Sequence, residues 1–80
     1  MKIPVIKKLV EEAELKDLQQ AEAALLEEQK PAITIEGNDE GEQLTHVLAA
    51  IWIKHEMKKH NTDFVTTLRA YTSRVRNSIS

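Results

Sequence analysis

Three histidines, His46, His55 and His60, are the residues of this chain best suited to proton transfer or metal binding near neutral pH. His55-Glu56 followed by His60 looks at first like the motif in which two histidines four apart bind one zinc. Here the spacing is five. Five residues turn an α-helix by about 500°, so the two rings point about 140° apart, and one zinc does not take both from an unbroken helix. Glu42 and His46 are four apart on one face, where an exposed Glu–His pair is the ordinary arrangement. A metal there would need donors from a second copy, so no metal site is expected.

Other chemistry finds less support. Ser73, Ser78 and Ser80 lie near the C-terminus with no histidine close in sequence and no nucleophile motif around them. The two glycines, Gly37 and Gly41, sit among acids that repel phosphate, so there is no phosphate-cradling loop. With no cysteine, disulfides and thiolate metal sites are excluded, which suits a reducing compartment. The scattered carboxylates of the first half read as solvating charge on helices. No catalytic residue and no cofactor is expected, and the chain is read as a non-enzyme.

The elements that would position these residues are mostly helical. Pro4 to Ala13 carries Val5, Ile6, Leu9, Val10 and Ala13 at helical spacing, with Pro4 at a position where its missing N–H costs nothing. Leu15 to Gln29 is rich in good helix formers, with Leu15, Leu18, Ala21, Leu25 and Leu26 marking an inner face and Pro31 expected to end it. Whether these are one bent helix or two is left open. Ala32 to Glu36 reads as extended, with Ile33 and Ile35 on one side. That segment either crosses the helices or pairs with its own copy.

Asp39 and Glu42 form a capping-box arrangement ahead of a long helix from about Glu40 to Lys59. Leu44, Val47, Leu48, Ile51 and Trp52 make one of its faces, and Ala49, Ala50, Ile53 and Met57 much of the other. A helix apolar on two sides is buried on both, and two or three short partners hardly cover it. A second copy would, which predicts a homodimer. Either the Ala49, Ile53 and Met57 side or the Leu44, Val47, Leu48, Ile51 and Trp52 side is the contact. Finally, Thr62 to Ile79 presents Phe64, Leu68, Tyr71, Val75 and Ile79 as one stripe, with Thr62 or Asn61 as its cap.

Charge divides the chain. Residues 1–44 hold five lysines against eleven acids, a net −6, and residues 45–80 hold six Lys or Arg against two acids, a net +4. The simpler account is mutual satisfaction within a fold or across a dimer. The alternative is a nucleic-acid-binding or regulatory protein, with Lys54, Lys58, Lys59, Arg69, Arg74 and Arg76 as a polyanion surface. Only one Trp, one Tyr and one Phe are present, and all fit core stripes, so base stacking is not expected. The order of short extended segment, helix, helix has the outline of ribbon–helix–helix proteins, but Thr34 and Glu36 give the outward strand face the wrong charge for DNA.

Eighty residues make one domain, 1–80. Met1 to Val10 lacks a signal-peptide core, and no apolar run reaches the roughly 20 residues that span a bilayer. The expectation is a cytoplasmic, all-α domain of three to four helices with an extended segment near 32–36, working as a homodimer.

Three stretches also carry a family likeness: Met1-Lys2-Ile3-Pro4-Val5-Ile6, then Asp39-Glu40-Gly41-Glu42-Gln43-Leu44 running on to Trp52 with its acidic entry to a long apolar helix, then Tyr71-Thr72-Ser73-Arg74-Val75-Arg76-Asn77-Ser78-Ile79. The chain resembles a family of small uncharacterised cytoplasmic proteins found in Bacteroidota. That resemblance implies a small helical protein of unknown function and supplies no catalytic residues. Together these readings point to a protein–protein interaction or accessory module with an unidentified partner, nucleic acid being the less expected one.

Overall fold

The computed structural model describes residues 2–79, and side chains for residues 2–77. It contains four helices, α1 (Ile3–Glu12), α2 (Leu15–Leu26), α3 (Glu40–His60) and α4 (Phe64–Ile79), and no strand among the described residues. The side chains of Ser78 and Ile79, and all of Met1 and Ser80, lie outside that description.

The first two helices are separate. Ala13 (φ −96°, ψ 144°) and Glu14 (φ −82°, ψ 156°) are both extended, which breaks the chain between them. The break lets Val5, Ile6, Leu9 and Val10 of α1 and Leu18, Ala21, Ala24 and Leu25 of α2 turn into one core. Leu26 does not join them: it is 64% exposed, because its neighbour Leu25 takes the inward position and one residue turns the helix by about 100°. Nor does Pro31 end α2. The helix stops earlier, at Glu28 (φ 59°), where Gln29 N–H donates to Ala24 O (2.7 Å) and Glu28 N–H to Leu25 O (3.2 Å). This pair of bonds is a Schellman closure, with a glutamate in the left-handed position that glycine usually fills.

The connection over residues 32–36 crosses the helices without forming a strand. Its alternation is as expected: Ile35 is buried and Ile33 half-buried, while Ala32, Thr34 and Glu36 face out. Gly37 then brings the backbone hard against α3. A Cβ there would stand 2.8 Å from Gln43 Cγ and 2.9 Å from Gln43 N, so only glycine fits.

The start of α3 is the capping box in all but one detail. Asp39 Oδ1 accepts from Glu42 N–H (2.7 Å), while the Glu42 carboxylate reaches back to Asn38 N–H (3.3 Å), one residue before the cap. At the other end Asn61 (φ 53°, ψ 46°) takes the left-handed turn, and Thr62 N–H donates to Met57 O (3.3 Å). Asn61 therefore closes α3 rather than opening α4. The cap of α4 is Asp63, whose Oδ1 accepts from Thr66 N–H (2.8 Å). Thr62 serves the turn in a different way: with the Thr67 hydroxyl donating to Asp63 O (2.8 Å), the Thr62 hydroxyl donates to Thr67 Oγ1 (2.8 Å).

Helix α3 is the spine, and α1, α2 and α4 all pack on it. Ile6, Leu18, Val47 and Ile53 are fully buried in the shared core, together with Ala21, Ala49 and Ala50. Full burial of each large aliphatic side chain contributes about 1.5–3 kcal/mol. The result is a flat body of 31 × 29 × 19 Å, whose thin dimension is about two helix diameters.

Candidate functional site

His46, expected to be an exposed partner of Glu42, is instead completely buried. Its Nδ1–H donates to Glu36 O (2.8 Å), and its Nε2 accepts from Lys2 N–H (2.9 Å). These two bonds require the neutral ring with its proton on Nδ1. Both nitrogens are spent on backbone groups, so the ring ties the chain's beginning and the 32–36 connection to α3. The periodicity misled because His46 lies on the inward side of α3, beside Val47, Ala49 and Ala50. Glu42 is occupied by Asn38, as above.

The other two histidines stay apart. His60 Nε2 lies 3.8 Å from the Glu56 carboxylate, one turn away, and His55 is exposed. Among the described residues, no three His, Cys, Asp or Glu side chains come together as metal donors. Among the described residues, Asp63 is held below its ordinary carboxylate value. Hydrogen bonds from the Thr66 side chain and then from its backbone N–H are the main causes, with a smaller contribution from Arg69. It belongs to a helix cap, not to a reaction centre.

The six basic residues do not share one surface role. Lys54 Nζ donates to Val10 O (3.0 Å), supplying a positive charge to the last carbonyls of α1. Arg74 lies over the Trp52 ring, 5.9 Å from its centroid, within cation–π range. Lys58, Lys59, Arg69 and Arg76 are exposed. A groove of about 340 Å³ beside α1 takes apolar walls from Val5, Leu9 and Ile33, but sets Lys8 among Glu12, Asp17 and Glu36 with no convergent donor set.

The two expected faces of α3 have different fates. Ala49 and Ile53 are at zero exposure inside the chain's own core, and Met57 is half-buried against it. Val47, expected on the opposite face with Leu48, is also fully buried. Val47, Ala49 and Ile53 are thus not available as a contact surface, because α1 and α2 cover them. What stays open is the narrower stripe of Leu44, Leu48, Ile51 and Trp52. Leu48 is 41% exposed, and the other three are half-buried.

Helix α4 adds half-buried apolar residues that pack against the core. It packs mainly on α3, and its only fully buried described side chain is Thr67. Phe64, Leu68, Tyr71 and Val75 are half-buried, and Val65 is 54% exposed. Trp52 and Tyr71 join the two helices, ring centroids 5.5 Å apart and tilted by 52°. Read from sequence, the α4 stripe looked like ordinary core. The signal of its openness was the small number of helices available to cover it.

The chain's total surface is larger than that of an average compact monomer of its mass. The chain exposes 5542 Å². A folded monomer of 9.1 kDa exposes about 4,900 Å², so the excess is about 650 Å².

Among known protein families, residues 1–80 match the Family of unknown function (DUF6952). No curated protein and no solved structure matches the chain. The likeness carried by its two ends and its acidic helix entry thus leads to a family without an assigned activity. Over its whole length the chain belongs to DUF6952.

Proposed function

We propose that this protein is a small non-enzymatic interaction module that works by protein–protein contact through the open apolar face of α3 and α4, and that it does so as a homodimer. The observation that carries the reading is that face itself. Leu48 and Val65 are exposed, and Leu44, Ile51, Trp52, Phe64, Leu68 and Tyr71 are only half-buried, all on two helices. Contiguous apolar surface of this kind marks contact sites. The burial of His46 and the use of both its nitrogens by backbone support a non-catalytic role. A cysteine-free chain suits the cytoplasm, where we place it. No helix among the described residues is long and apolar enough to cross a membrane.

Size-exclusion chromatography with light scattering, at low micromolar protein and two salt concentrations, tests the reading. The expected result is a mass of two chains that persists in high salt. A monomer at both salts would overturn it.

A further inference from the structure

Resting on that reading, we propose that the second copy docks antiparallel, α3 against α3, with Leu48 opposite Ile51 of the second copy and Glu40 opposite its Lys59. An isologous contact must be self-complementary, and α3 has that property along its length. Its first turn carries Glu40 and Glu42, just after Asp39, and its last turn carries Lys58, Lys59 and His60. On the outward side the exposed or half-buried residues between these ends are Leu44, Leu48, Ile51, Trp52 and His55, with Thr45 and Glu56 along the Trp52 edge. The apolar part is centred near the middle of the helix, between acid at one end and base at the other.

A two-fold axis across that middle lays Leu48 on Ile51, Leu44 on His55 and each acidic turn on a basic one. A parallel pairing would instead set acid on acid and base on base, which is destabilising. The helix macrodipoles also favour the antiparallel arrangement. At 21 residues α3 is about 31 Å long, and the outward residues from Leu44 to His55 cover about 16 Å in its middle. Trp52 and Tyr71 flank it on the α4 side and extend the contact. His46, Val47, Ala49, Ala50 and Ile53 stay inside each chain and take no part.

The absence of cysteine makes single-cysteine variants a clean probe of this pairing. Leu48→Cys, Lys59→Cys and Glu40→Cys each replace a side chain outside the core, and circular dichroism checks that each variant keeps its helix content. A short bis-maleimide cross-linker is added at dimer-forming concentration. Leu48→Cys should cross-link to itself, because residue 48 lies close to the axis. Lys59→Cys alone should not, because its two copies are about 28 Å apart along the helices. A mixture of Lys59→Cys and Glu40→Cys should cross-link. The charge reversals Glu40→Lys and Lys59→Glu should each weaken the dimer about tenfold, and the two together should restore most of the loss. A dimer in which Lys59→Cys cross-links alone, or in which Leu48→Cys does not, would overturn the antiparallel pairing while leaving self-association intact. A monomer in light scattering would overturn both.

Discussion

The backbone N–H of Lys2 donates to Nε2 of His46 across 2.9 Å, a bond spanning 44 positions of sequence. The other ring nitrogen holds the carbonyl of Glu36 at 2.8 Å. One buried imidazole thus fixes two segments that have few other backbone anchors. The entry to α1 and the exit of the 32–36 connection meet on it, and each supplies one polar group that would otherwise need water.

Removing that ring should cost more than an ordinary surface change. His46→Ala leaves an N–H and a carbonyl without partners and opens a cavity, which together should lower stability by about 3 kcal/mol. In a domain of this size that is a fall in Tm of roughly 12–24 °C, measured by thermal unfolding. Nitrogen-15 NMR on the wild type should find a slowly exchanging proton on Nδ1 and none on Nε2. A rapidly exchanging ring proton, or a His46→Ala variant within about 0.5 kcal/mol of wild type, would contradict the assignment.

Glu28 should be a site where stability can be gained. Its φ of 59° is a left-handed conformation that costs a residue with a Cβ about 1–2 kcal/mol. Its side chain is exposed. Glu28→Gly removes the steric cost but gives the unfolded chain more freedom, so a net gain of about 0.5–1 kcal/mol is expected. Chemical denaturation reads it directly. Asn61 holds the same conformation at the end of α3, and Asn61→Gly should gain less, because asparagine already tolerates it.

The cap of α4 should make stability depend on acid. Asp63 has its folded-state value lowered, chiefly by the Thr66 side chain and then by its N–H. A lowered carboxylate contributes stability that is fully present above its unfolded value and is lost as pH falls through the folded one. Wild type should therefore lose part of its Tm on acidification below about pH 4, and Asp63→Asn should lose less over the same window. The carboxyl shift of Asp63 followed by NMR supplies the sign: a midpoint at or above the ordinary aspartate value would refute the cap's electrostatic role.

Much of this architecture is legible in the residues, and the failures have physical reasons. The helices could be placed from apolar spacing, Pro4, the Asp39–Glu42 pair and the glycines, because each of those signals acts within a few residues. The misplaced features were of two kinds, local turns without a composition signal and one long-range tie. Glu28 and Asp63 both act through backbone angles and turn bonds that composition does not announce. His46 looked exposed because histidine near a helix start usually is, and its partners, Lys2 and Glu36, lie 44 and 10 residues away. The two-sided apolar character of α3 was legible, but which side the chain keeps for itself was decided by where α1 and α2 dock.

That decision separates two substitutions that the sequence alone treats alike. Ile53 has no exposed surface, and Leu48 is 41% exposed on the same helix. Ile53→Glu buries a carboxylate with no partner and removes a core side chain, a loss of more than about 4 kcal/mol. A chain of 80 residues has a total stability of roughly 4–12 kcal/mol, so this variant should lose a third or more of it and unfold at a much lower temperature by circular dichroism. Leu48→Glu leaves the interior untouched. Its helix content should match wild type, and the stability of the isolated chain should change by less than about 0.5 kcal/mol. In light scattering, however, it should run as a monomer, because the charge falls at the centre of the proposed contact. If Leu48→Glu stays a full dimer, the outward stripe of α3 is not the contact. If it unfolds, that stripe belongs to the core. If it is folded and monomeric, folding and association reside on opposite sides of one helix.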